Sequence, residues 1–161
     1  MNKNYIPLII KAGLVTGSLD ILFAFANAWW SPGISPERVL QFIASGLMGK
    51  SAFQSLPAIA FLGLAIHYFI AFCWTVLFFF VYPTLKNIIR NKFLQAVLYG
   101  LFIWLVMNLL ILPVTRTPQQ TFYWPDAFKG AAILIIAVGL PLAYFAQKYN
   151  KEDGHNQSNN E

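Results

Sequence analysis

Two ionisable side chains stand in the middle of long apolar runs of this 161-residue chain: Asp20 within the run from Tyr5 to Trp30, and His67 within the run from Pro57 to Tyr82. An ionised aspartate at the centre of a membrane helix costs about 2.5 to 3.5 kcal/mol on insertion scales, so it must face a bundle interior, find a partner or hold a proton. Imidazole titrates near neutral pH, and a carboxylate beside it can store a proton or bind a small polar ligand. Their depths agree. Asp20 is ten residues before Trp30 and His67 ten residues after Pro57, so on adjacent antiparallel helices each lies about 15 Å below the same membrane surface, and a direct Asp–His contact is open. Asn108, four residues before Leu112, would sit about 6 Å below that surface as an orienting group. Arg116 in the next connection is a cation at the mouth. The same residues admit a plainer role: polar contacts of about 0.6 kcal/mol each can simply fix helix register.

Small residues must bring these groups together. At about 100° per residue, Gly13, Thr16, Gly17, Asp20, Ala24 and Asn27 share one face of the first helix. Gly13 and Gly17 form a G-x-x-x-G pair that lets another backbone come close, and Gly63 and Ala71 flank His67 on a matching stripe. That stripe suits packing within one chain and equally suits a homo-oligomer. Lys11 projects to the opposite side, where it snorkels toward an interface.

The elements that carry the stripes are transmembrane helices. Four apolar stretches, Tyr5 to Trp30, Pro57 to Tyr82, Phe93 to Leu112 and Ala127 to Phe145, approach or exceed the roughly 20 residues needed to cross a bilayer. Hydrophobic residues make up 58% of the chain and charged residues 11%, against roughly 25% charged in an average soluble domain. The net charge of +5 is therefore read as topology and not as a nucleic-acid surface. Lys3, Lys11, Lys86, Arg90, Lys92, Lys148 and Lys151 fall on one side, Arg38, Lys50, Arg116 and Lys129 on the other. The excess of positive charge predicts that both termini are cytoplasmic. Trp29, Trp30, Tyr123 and Trp124 would form an aromatic belt at the outer interface, with Tyr82, Tyr144 and Tyr149 near the inner one. Lys3 and Lys11 ahead of an apolar run ending in Ala26-Asn27-Ala28 echo a signal peptide, but Asp20 interrupts the run and its length favours a retained helix. Cys73 has no partner for an intrachain disulfide.

Between the first two spans, Ser35 can cap a helix with Pro36 at its first position, and Val39, Leu40, Phe42, Ile43, Leu47 and Met48 cluster toward one side. A short interfacial helix is expected there, with Glu37, Arg38 and Gln41 toward water. The connection from Pro113 to Asp126 holds three prolines that bar a regular helix, and reads as an outer loop carrying Arg116, Gln119 and Gln120. Gly139-Leu-Pro141 marks a kink in the fourth span. The chain is read as one domain, residues 1–150, followed by a disordered cytoplasmic tail, residues 151–161, in which His155 is solvated. The predicted fold is an all-α membrane protein: a four-helix up-down bundle with a short interfacial helix between the first two spans.

Enzyme signatures such as H-E-x-x-H, a P-loop or G-x-S-x-G do not occur, and one membrane histidine with one tail histidine argues against a metal centre within a protomer while leaving open a site shared between subunits, so no metal and no cofactor are expected. The stretch His67-Tyr-Phe-Ile-Ala-Phe, then Phe78-Phe-Phe-Val-Tyr-Pro83, a basic turn, Leu112-Pro113, Thr117-Pro118 and Phe122-Tyr-Trp-Pro125 resembles small bacterial inner-membrane proteins of the YagU-like kind. The first outer connection is shorter than in that group. The resemblance implies a bacterial inner-membrane location and a four-helix plan, and brings no catalytic residues with it. The leading expectation is a non-enzymatic membrane protein that handles an ion or small ligand, with the lipid bilayer as its surroundings. Asp20 and His67 would be its titrating pair, Asn108 an orienting group and Arg116 an outer attraction point. An accessory or assembly protein with purely structural polar contacts is the alternative, and a lipid-modifying enzyme the weaker one.

Overall fold

The computed structural model describes residues 5–30, 34–54, 56–118 and 122–148. The expected disordered tail, with Lys151 and His155, lies outside the described residues, as do Lys3, Gln119, Gln120 and Tyr149. Four helices are long and apolar enough to cross a membrane, as fits an integral membrane protein: α1 (Tyr5–Trp29), α3 (Pro57–Ile88), α4 (Lys92–Val114) and α5 (Trp124–Lys148). A shorter helix, α2 (Pro36–Met48), lies between the first two and continues into a 3₁₀ turn over Gly49–Phe53. Among the described residues there is no strand.

Local chemistry explains most of the boundaries. Ser35 caps α2 by accepting from the Arg38 amide at 3.2 Å, and Pro36 occupies the first turn, where its missing N–H is no loss. Asn91 caps α4 through bonds from the amides of Phe93 and Leu94, and buried Gln95 donates to the Ile89 carbonyl at 2.6 Å, satisfying a backbone acceptor just past the end of α3. The turn between α3 and α4 is thereby closed in three residues, Ile89, Arg90 and Asn91. The second span does not stop at Tyr82: α3 runs through Pro83 to Ile88. Its 32 residues correspond to about 48 Å, well beyond a hydrocarbon thickness of about 30 Å.

In α4 and α5 an internal proline is met by a π turn instead of a break. In α4 the turn covers Met107–Ile111, two residues before Pro113, and in α5 it covers Ile135–Gly139, two residues before Pro141. A proline offers no N–H to the carbonyl four residues back and its ring presses on that carbonyl, so widening the preceding turn by one residue relieves the clash. The kink expected at Gly139-Leu-Pro141 takes this form.

Two close antiparallel seams build the bundle. Along α1 and α3, Gly13 faces Phe72 while Gly17 faces Tyr68 and Ala71. Along α4 and α5, Gly100 faces the backbone of Ile135 and Gly139 faces the backbone of Ala96. The second seam has a sequence signal, small residues four apart at Ala96 and Gly100, that the stripe around Asp20 overshadowed. Helix α1 also packs on the π turn of α5, joining the two pairs.

The two ends of the molecule differ in kind. Toward the end that carries Lys86, Arg90 and Lys92, here the basic end, lies the main core of Phe78, Tyr82, Tyr99, Ile103, Val138 and Leu142. There the Phe78 and Tyr99 rings meet at 4.7 Å, and the Tyr99 hydroxyl donates to the Trp74 carbonyl. Toward the other end, here the α2 end, the second core consists only of Ala44, Ala52 and Ile59.

Helix α2 corrects the expectation that Gln41 faces water. Glu37 and Arg38 are exposed, but Gln41 is only 4% exposed and Ser45 fully buried, while Leu47 and Met48 are exposed. The inward face is thus Gln41, Ala44 and Ser45. Small side chains let the backbone of Leu40 press onto Gly63 of α3, where no Cβ would fit. Gln41 is satisfied in place, donating to Glu37 Oε1 at 3.2 Å and to the Gln54 carbonyl at 3.3 Å. At its far end, the Gly46 carbonyl accepts from the Arg116 amide at 3.1 Å, tying α2 to the connection after α4.

Candidate functional site

Asp20 and His67 meet at the α1–α3 seam. On α1, Thr16 and Gly17 are buried and Asp20 and Ala24 half-buried, while Leu14, Leu22 and Phe23 on the other faces are exposed. Asp20 therefore stands on the inward stripe, not among the lipid-facing residues. From Trp29 it is nine residues down the helix, about 13.5 Å.

His67 is 9% exposed, and its Nε2 lies 2.8 Å from the carbonyl oxygen of Gly17. A carbonyl can only accept, so Nε2 carries the hydrogen and donates it. The remaining ring nitrogen, Nδ1, makes no hydrogen bond among the described residues. The Asp20 carboxylate stands one turn from Gly17 on the same face of α1, yet no hydrogen bond or ion pair within 4.0 Å holds it among the described residues. The direct Asp–His hydrogen bond weighed from the sequence is thus replaced by a histidine bound to the backbone one turn away, with the carboxylate beside it.

Hydroxyl groups that the sequence reading leaves out complete the seam. Ser18 Oγ and Tyr68 Oη lie 2.8 Å apart, and Tyr68 packs edge-on against His67 with ring centroids 5.6 Å apart. Toward the basic end, Thr16 and Thr75 are fully buried with their oxygens 3.5 Å apart, and each donates at 2.8 Å to a carbonyl of its own helix, Ala12 and Ala71. The signal was present: Thr75 is two turns beyond His67 on α3, opposite the Gly13 and Thr16 stripe.

Other expected members lie apart from this pair. Asn108 sits in the π turn of α4 and donates to the Trp104 carbonyl of its own helix at 2.8 Å; no contact joins it to Asp20 or His67 among the described residues. Arg116 is exposed, and it touches α2 through its backbone, beside Gly46 and Gly49. Gly63 belongs to the α2–α3 contact, whereas Ala71 lies against Gly17. Gly13 and Gly17 face the chain's own α3. Among the described residues no group of three or more His, Cys, Asp or Glu could hold a metal ion.

The arrangement offers one carboxylate without a hydrogen-bond donor and one imidazole with a nitrogen to spare, placed side by side within a helix seam. Such a pair can take up a cation or a proton, or accept hydrogen bonds from a ligand. No protein-family model, curated relative or solved structure matches the chain.

Proposed function

We propose that this membrane protein binds an ion or small ligand at Asp20 and His67, without catalysing a reaction. One observation carries the reading: a half-buried carboxylate deep in a membrane-spanning helix has no hydrogen bond or ion pair among the described residues. A packing role would favour saturating that carboxylate, because an unsatisfied buried charge is costly. Arg116 stands at the α2 end and attracts anionic solutes or lipid headgroups to the surface there. Asn108, bonded within its own helix, orients α4 and reaches the site only if the α4 π turn rearranges.

The proposal places the protein in a bacterial inner membrane with both termini in the cytoplasm. The charge count across the connections supports that orientation. The order of motifs shared with the YagU-like group supports the location and membership in that group.

Purified protein in liposomes, challenged with a panel of ions and small solutes, tests this reading. Flux of at least one solute, abolished by Asp20→Asn in a variant that elutes from a sizing column like wild type, is the expected result. Absence of flux across the panel, or flux indifferent to Asp20→Asn, sinks it. An accessory or assembly role is the second reading, and one observation favours it: the hydroxyls and the imidazole of the seam pair with one another or with backbone carbonyls, which is what helix packing alone requires.

A further inference from the structure

We infer that the turn between α3 and α4 binds anionic phospholipid, with Arg90 and Lys92 on the phosphate and Phe93 and Leu94 against the acyl chains. This site is at the basic end and is independent of Asp20 and His67. Its charge is one-sided. Lys86, Arg90, Lys92 and Lys148 are all exposed there, whereas the carboxylates of the described residues lie elsewhere: Asp20 within α1, Glu37 on α2 and Asp126 at the start of α5. At the α2 end the signs are mixed, with Lys129 3.4 Å from Asp126 and the Arg38 guanidinium 4.3 Å from the centre of the Phe53 ring. A cluster of cations beside a membrane span draws anionic headgroups.

Helix length sets the height of these cations. From Tyr82 to Ile88, α3 continues six residues past the apolar run, about 9 Å, and the headgroup layer is about 5 to 7 Å deep on each side of the hydrocarbon. Lys86 and the turn after it therefore stand among phosphates. Directly after Lys92 in the first turn of α4, Phe93 and Leu94 are 61% and 45% exposed, where acyl chains cover them and water does not. The surface thus has two parts, one for charge and one for chains.

The backbone holds the turn ready. Asn91 Oδ1 accepts from the amides of Phe93 and Leu94 at 2.9 and 3.3 Å, and Gln95 Nε2 donates to the Ile89 carbonyl at 2.6 Å, so Arg90 is framed on both sides. With those amides occupied, the anion is left to the side chains. A guanidinium takes two phosphate oxygens at once, and the Lys92 ammonium adds a point charge. A zwitterionic lipid carries its own cation next to the phosphate and is bound less well. Free phosphate supplies the charge without the chains that Phe93 and Leu94 face.

Native mass spectrometry of the full chain in detergent, with equal amounts of phosphatidylglycerol and phosphatidylcholine added, tests the inference. Wild type is expected to retain phosphatidylglycerol preferentially. Arg90→Gln combined with Lys92→Gln should lower the retention ratio about thirtyfold, about fivefold for each cation near a membrane surface. Each single variant gives the smaller step, which keeps the test readable if the double variant does not fold. Exchanging the pair, Arg90→Lys with Lys92→Arg, keeps the charge and should keep most of the preference. Lys50→Gln with Lys129→Gln removes the same charge at the α2 end and should leave the ratio unchanged. Equal retention of both lipids by wild type overturns the inference, and is the result expected if the tail acids Glu152 and Asp153 hold these cations instead. A preference that survives the loss of Arg90 and Lys92, or falls as far in the Lys50 and Lys129 variant, overturns the placement at this turn. Displacement of the lipid by inorganic phosphate at equal concentration overturns the part given to the acyl chains.

Discussion

His67 on α3 reaches across to the backbone of α1 and places its Nε2 2.8 Å from the carbonyl oxygen of Gly17, a glycine whose missing Cβ leaves room for Tyr68 and Ala71 of α3. The carbonyl already serves the α1 hydrogen-bond ladder, so this second bond does not rescue an orphan; it fixes the tautomer and rotation of the imidazole beside Asp20. Packing and chemistry are joined at this one contact. A larger residue at Gly17 would push the Tyr68 ring, 3.0 Å from where its Cβ would stand, and with it the neighbouring His67.

Replacing the ring separates the two roles. His67→Phe keeps volume but loses the donor, and is expected to lower unfolding free energy in detergent by about 0.6 kcal/mol, the mean for a side-chain hydrogen bond within a membrane, with about 1.7 as the upper measured bound. His67→Gln retains an amide donor and should lose less. If the Phe variant proves as stable as wild type and the Gln variant weaker, the hydrogen bond to Gly17 contributes nothing to the fold.

Glycine substitutions should rank by what their Cβ would meet. At Gly63 it would strike the Leu40 backbone, which cannot move unless α2 moves as a whole. Overpacking of this kind costs typically about 1 to 3 kcal/mol, so Gly63→Ala is expected to lower the melting temperature and loosen α2, read as faster proteolysis between Ser35 and Gln54. At Gly17 the neighbours are the Tyr68 ring at 3.0 Å, which can turn aside, and the Ala71 methyl at 3.2 Å, which moves only with its backbone but stands farther off than the Leu40 backbone does from Gly63. Gly17→Ala should therefore be the milder change, while Gly17→Leu should disrupt the seam outright. Equal melting temperatures for Gly63→Ala and Gly17→Ala would argue against a rigid α2–α3 contact.

The features legible in the sequence were those written in periodicity: four spans, the Ser35-Pro36 start of α2, and the stripe from Gly13 to Asp20. Legible too was the shared depth of Asp20 and His67, because helix rise converts residue number into height. Partner choice was not legible. Nothing in residue spacing distinguishes an imidazole donating to a carboxylate from one donating to a backbone carbonyl one turn away, since both acceptors lie within reach of the same ring. The polarity of glutamine predicts a water-facing Gln41, yet Glu37 and the Gln54 carbonyl satisfy it in a buried position. Depth alone puts Asn108 on a pathway, whereas in the π turn before Pro113 its amide is bonded to its own helix.

Cys73 supplies a direct test of how the bundle sits in lipid. It is exposed on α3, sixteen residues past Pro57 and about 24 Å along the helix, one residue before Trp74, whose carbonyl accepts from Tyr99 in the core. An exposed thiol at that height faces acyl chains, where the thiolate needed for reaction is disfavoured because charge is costly in hydrocarbon. In liposomes, a charged methanethiosulfonate reagent added to both faces is therefore expected to leave Cys73 unmodified, and the same reagent after denaturation in detergent should modify it fully, both measured by intact mass. A lipid-soluble, neutral maleimide should show slow partial labelling in the bilayer. Prompt labelling by the charged reagent in intact liposomes would place this face of α3 against water, and the arrangement of the four spans around the Asp20–His67 seam would then have to be redrawn.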